Sequence, residues 1–362
     1  MGRAPAVVVA VLVVLVEVTL VGALGVLVAQ DEGWTQWLWG GLWVLLVWQL
    51  LPRAAGLPRR AVRLSPQDAP AVHALTRAVV SAMGARAPTT LAVDTTYPVA
   101  VLPVGYLGRA TLVIGLPQWT VLDPDERLAV LAHELAYAQV WRSPAGVLVR
   151  VADDLLTSAR TVLTPTRTVT ADQSTIDRST AEYGEIGPGG ALVANRMARE
   201  GAAAVGAAGM SVFSAPVRGA QALLHRLWRP VTLAAALDGD ARAADLAGAG
   251  SMTAVLLSTV GTPRGLVAAS VAARTGQDPF EAMAASRRPD RSELDRRLAA
   301  HPASRTDEWH PSTADRVAAL RGVPAPAAGP DRALLGPADG ELARYRTELR
   351  RQLAEELVHG RP

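Results

Sequence analysis

His133 and Glu134 are adjacent in LAVLAHELAYAQ (residues 128–139) and are the pair that zinc-assisted hydrolysis uses. On a helix, a histidine, a glutamate and then a second histidine one turn on place two imidazoles on one face. The imidazoles bind the metal and the glutamate activates the metal-bound water. A third ligand comes from elsewhere, and an open fourth position holds water whose pKa falls to about 7. In this chain Tyr137 stands where the second histidine belongs. A phenol with a pKa of about 10 is a poor zinc ligand when neutral. Of the remaining histidines (His73, His225, His301, His310, His359), none has pair spacing to His133.

The elements that must position this pair follow from capping and periodicity. Asp123-Pro124-Asp125-Glu126 opens the helix that carries it. Asp123 is the cap, Pro124 takes the first position and Glu126 reaches back as in a capping box. Upstream, Ser65 to Met83 reads as an amphipathic helix with a stripe at Val72, Leu75, Val79 and Met83, started by Ser65-Pro66. Thr90–Asp94 and Arg109–Gly115 read as strands. Residues 165–190 are polar and turn-rich and read as a long insert. Ala203 to Val217 is apolar but short, which suits a packed or membrane-leaning helix better than a span. Helices resume from Pro230 to about Leu320. VPAPAAGP (323–330) is a linker, and Gly340–Val358 is a charged helix with its stripe at Leu342, Tyr345, Leu349, Leu353 and Leu357.

The N-terminus reads as membrane. Ala4–Ala29 is almost wholly apolar and long enough for a span, which needs about 20 residues. Trp34–Leu51 is a second, shorter run crowded with tryptophan. Arg3 precedes the first run, Arg53, Arg59, Arg60 and Arg63 follow the second, and the loop between them carries only acids. The positive-inside rule then puts both ends and the bulk of the chain in the cytoplasm, below an inner or plasma membrane. A cleaved leader is the competing reading of the first run. Glu17, mid-span, is read as a polar residue bonded within the bundle, with a partner-helix contact as the alternative.

Composition excludes several chemistries. There is no cysteine, hence no disulfide, thiolate metal site or cysteine nucleophile. There is no lysine either: all 36 basic residues are arginine, which removes Schiff-base chemistry, a Ser/Lys dyad and a P-loop. The arginine and alanine bias suits a high-GC bacterial genome. No basic run is interleaved with aromatics, so nucleic acid is not an expected partner.

Three motifs in order resemble the M48 family of membrane metallopeptidases over about residues 62–322. Residues 121–137, VLDPDERLAVLAHELAY, align with that family's LxxDELxAVLAHELxH helix. Ala241-Arg242-Ala243-Ala244-Asp245 takes the place of its ExxAD motif, and His310-Pro311 through Arg316 to Leu320 that of HPxxxxRIxxL. The resemblance implies an α+β, mainly helical fold: a transmembrane helical hairpin (1–52), a zincin-type domain with a small sheet (53–323), and a linker with a terminal helix (324–362). It makes His133 the first zinc ligand and Glu134 the general base. It puts Tyr137 and Ala241 at the other two ligand positions, with Asp240 a substitute if the register slips by one. Asp245 becomes a second-sphere hydrogen-bonding group, and His310 and Arg316 are motif residues of unassigned role. The family's asparagine before the edge strand is absent at Val99-Ala100-Val101. With two of three ligands replaced, the expectation is a pseudopeptidase without zinc that binds or regulates. Its peptide partner would add to an edge strand at Arg109, Thr111 and Val113 by β-augmentation. The alternative is an active zinc endopeptidase with substituted ligands.

Overall fold

A computed structural model describes residues 3–30, 33–50, 57–58, 60–105, 107–163, 189–260, 264–286, 291–301, 303–304, 309–323 and 332–359; for 189–213 it describes the backbone only. The elements in order are α1 (Ala4–Gln30), α2 (Trp34–Leu50), β1 (Val62–Leu64), α3 (Pro70–Met83), β2 (Thr90–Asp94), β3 (Ala100–Val104), β4 (Arg109–Gly115), α4 (Leu116–Val121), α5 (Pro124–Arg142), α6 (Pro144–Leu163), α7 (Gly189–Ala247), α8 (Ala249–Ser258), α9 (Arg264–Arg274), α10 (Pro279–Ala285), α11 (Arg291–Ala300), α12 (Thr313–Ala319) and α13 (Leu335–His359). The fold is thus mainly helical with one small sheet, as expected; the sheet is mixed. The insert expected at 165–190 lies outside the described residues up to 188, as do Arg53, Arg59 and most of the linker at 323–330.

The chain divides into two compact units. The first is built from residues 54–147 and 229–362. Its sheet runs β1-β2-β4-β3. β2 and β4 pair in parallel, while β1 and β3 flank them antiparallel. β4 is therefore an inner strand, which corrects the expectation that Arg109–Gly115 is an edge. Thr111 and Val113 are buried between neighbours and Arg109 is exposed at the strand's start. The edge on that side is β3, which contains Pro103 and so lacks one of the donors that an added strand would use.

Around the sheet, Trp119, Leu112, Ile114, Leu128, Leu131 and Leu135 form a common core with residues of α3, α8, α10 and α13. The terminal helix α13 belongs to this core through Leu335, Leu342, Tyr345, Leu349 and Leu353. It also supplies a cap. Ser65 and Asp68 close on each other as a turn, and α3 begins at Pro70 rather than Ser65. The free N–H groups of Ala71 and Val72 donate to the Glu341 carboxylate at 2.9 and 3.0 Å. A carboxylate across two N-terminal amides satisfies orphan donors and complements the helix dipole.

The second unit comprises residues 2–53 and 148–228. Within it α1 and α2 run antiparallel, and the Trp43 indole donates to the Val21 carbonyl at 3.1 Å. Their apolar side chains are exposed: Trp37 is 84 % accessible, Trp34 77 % and Val16 65 %. Among the described residues α1 is the one helix long and apolar enough to cross a bilayer. α2, at 17 residues, lies at the short end of the about 17–25 that a span takes. Ala203–Val217 lies inside α7. Asp153 of α6 accepts from Gln221 of α7 at 3.0 Å and lies 2.7 Å from the His225 Nε2.

Candidate functional site

α5 begins as its sequence demands. The Asp123 N–H donates to the Glu126 carboxylate at 2.9 Å, and Pro124 occupies the first turn. Leu128, Leu131 and Leu135 then fix one face in the core, which leaves His133, Tyr137 and Trp141, each four residues on, as a row on another. His133 and Tyr137 stack with ring centroids 6.0 Å apart and planes 6° from parallel. His310 lies against Tyr137 at 4.4 Å, and Trp309 meets Trp141 edge-on at 5.6 Å. The HP motif thus lays its histidine on the α5 row.

The group facing His133 from α7 is Asp240. Its Oδ1 lies 2.8 Å from the His133 Nδ1. The close approach depends on Gly239: a Cβ there would sit 3.1 Å from the same Nδ1 and 3.3 Å from the His133 carbonyl oxygen. Ala241 and Asp245 are both exposed. The expected third-ligand position therefore faces solvent, and Asp245 makes no hydrogen bond to the His133 helix among the described residues. One residue on a helix is a rotation of about 100°, and the residue turned inward is Asp240.

The third member is Arg316 on α12, a short helix whose start is capped by Ser312 accepting from the Asp315 N–H at 3.1 Å. Arg316 grips Asp240 with a two-pronged fork, Nε to Oδ2 and Nη2 to Oδ1, both at 2.7 Å. The same Nη2 lies 3.3 Å from His133 Nδ1 and 3.1 Å from Nε2. An atom in the ring plane nearly equidistant from both nitrogens would collide with Cε1, so the guanidinium lies over the face of the imidazole. His133, Asp240 and Arg316 are 3 %, 1 % and 2 % exposed. Burial pushes the Asp240 carboxyl up, but the hydrogen bonds from Arg316 and His133 outweigh it and hold the pKa down at about 2. Asp240 is ionised and Nδ1 donates to it.

This donor set does not fit a zinc ion. It offers one imidazole, with a proton on the nitrogen nearest the carboxylate, and one carboxylate whose two oxygens are both engaged by a cation. Among the described residues no three His, Asp or Glu side chains are grouped to hold a metal. A divalent ion here would also meet the positive charge of Arg316 at close range. Glu134 is half-buried and makes no hydrogen bond or ion pair among the described residues. The fold brings His133, Tyr137, Asp240, His310 and Arg316 together; Ala241, Asp245, Thr111 and Val113 are not part of the cluster. Arg316 lies in the HP motif, but the motif's spacing does not announce that its guanidinium meets Asp240. No family model, curated protein or solved structure matches the chain.

Proposed function

We propose that this protein is a membrane-anchored, M48-like pseudopeptidase, in which the buried arginine Arg316 takes the place of the catalytic metal and the domain serves as a binding or regulatory module. The observation that carries the reading is the fork of Arg316 on Asp240 over the face of His133. A metal in such a pocket would tie α5 to α7 through its ligands; here a guanidinium from α12 meets both instead. The positive charge is retained, but water activation is lost, because a guanidinium has no open coordination position.

The anchor is α1, with α2 packed against it as the returning arm of a hairpin. The exposed apolar surface of both supports a bilayer as their surroundings. Arg3 and Arg60–Arg63 orient the first unit to the cytoplasm under the positive-inside rule. β3, not β4, is the strand at which a peptide would add, and Pro103 limits that ladder to a few bonds. The test is proteolysis in detergent on an unfolded substrate with and without added zinc. Wild type and Glu134→Gln are expected to be indistinguishable from buffer. Zinc-dependent cleavage by wild type that Glu134→Gln abolishes would overturn the proposal.

A further inference from the structure

The turn joining β3 and β4 presents a leucine to solvent where a hairpin ordinarily carries polar residues. Gly105 and Gly108 both sit at φ 65°, a left-handed conformation that permits the tight reversal. Between them Leu107 is 76 % exposed. Arg109, at the start of β4, is exposed, and so is Arg86. A Cβ on Gly108 would stand 3.4 Å from the Arg86 Nη1, so that guanidinium lies against the turn. Beneath it the buried Arg142 donates to the carbonyls of Gly108 at 3.1 Å and Ala87 at 2.7 Å and fixes the base of the hairpin. Burial lowers the Arg142 pKa, and the nearby charge of Arg86 lowers it further. Neither Arg86 nor Arg109 has a carboxylate partner among the described residues.

An exposed leucine flanked by arginines that have no carboxylate partner among the described residues has the composition of an interfacial membrane contact. The leucine enters the headgroup–acyl boundary and the guanidiniums meet anionic headgroups. We infer that the β3–β4 hairpin tip docks the first unit onto an anionic lipid surface through Leu107, Arg86 and Arg109. The partner is the bilayer itself. This contact is additional to the α1 anchor and rests on the anchoring reading only in that α1 keeps the surface close at hand, at high effective concentration.

The lack of cysteine makes the test direct. Full-length Leu107→Cys carries one nitrobenzoxadiazole label, and Gln277→Cys, exposed elsewhere on the same unit, carries the control. Both are reconstituted into phosphatidylcholine vesicles with and without phosphatidylglycerol. The label at 107 is expected to shift to the blue and to be quenched by nitroxide lipids in the anionic vesicles, while the label at 277 stays wet. Arg86→Gln with Arg109→Gln is expected to lower the docked-to-free ratio at 107 roughly tenfold or more. A label at 107 as wet as that at 277 in vesicles that carry the protein on flotation overturns this inference alone. Failure to float with either vesicle overturns the inference and the anchor together.

Discussion

Replacing Arg316 with methionine is expected to cost the first unit about 3 kcal/mol or more at neutral pH. The methionine keeps most of the buried volume and removes the two donors at 2.7 Å. Asp240 then remains 1 % exposed with His133 Nδ1 as its one donor among the partners described above. Breaking a buried pair from one side typically costs about 3–5 kcal/mol, because an uncompensated charge is left behind. The acid side of the titration gives a second estimate. The Asp240 pKa, held at about 2 against an ordinary 3.8, corresponds to roughly 2 kcal/mol of folding stability. Since the folded pKa is the lower one, this contribution is complete above about pH 4 and disappears as pH falls through about 2. Removing Arg316 removes the main support of that shift, so the variant should unfold in acid at a higher pH than wild type. The assay is guanidinium unfolding in detergent, followed by tryptophan fluorescence, for wild type, Arg316→Met, Asp240→Asn and the double variant. The double variant should recover much of the loss, with a coupling of about 2 kcal/mol. Arg316→Met within about 1 kcal/mol of wild type, with additive single effects, would refute the view that this fork ties α7 to α12.

Three further outcomes follow from the same geometry. Tyr137→His with Ala241→Glu is expected to gain no zinc affinity in a titration, because residue 241 faces solvent; Tyr137→His with Arg316→Ala, which leaves His133, the new histidine and Asp240 around a vacated space, is expected to gain it. Gly239→Ala should destabilise by about 1 kcal/mol in thermal unfolding, even though alanine in an open helix stabilises by a similar amount, since its Cβ would press on His133 at 3.1 Å. Glu341→Gln, which discharges the acceptor of two α3 amides, should cost about 1–2 kcal/mol and increase hydrogen exchange at Ala71 and Val72.

What could be read in the sequence was local. The α5 capping box, the strands at 90–94 and 109–115 and the α13 stripe follow from neighbouring residues, and the structure places them as read. Failures came where distant parts decide. Ser65-Pro66 has the form of a helix start, yet Pro70 begins α3 because its cap comes from Glu341, about 270 residues away. Arg109–Gly115 is recognisable as a strand, but its place inside the sheet depends on β3, whose proline and uniformly apolar sequence, AVLPV, give no alternation to follow. The choice between Asp240 and Ala241 is a helical rotation that a motif spacing cannot fix. Arg316 was visible as a motif residue, but nothing in the chain's order announces that its guanidinium meets a carboxylate 76 residues earlier.

Metal content tests the central claim most directly. Full-length protein purified from zinc-replete cells and dialysed is predicted to carry zinc far below one equivalent per chain. Arg316→Ala with Tyr137→His, prepared in parallel, is predicted to approach one. Near-equimolar zinc in the unmodified protein, removed by chelator and restored by addition, would contradict the assignment of the metal's place to Arg316.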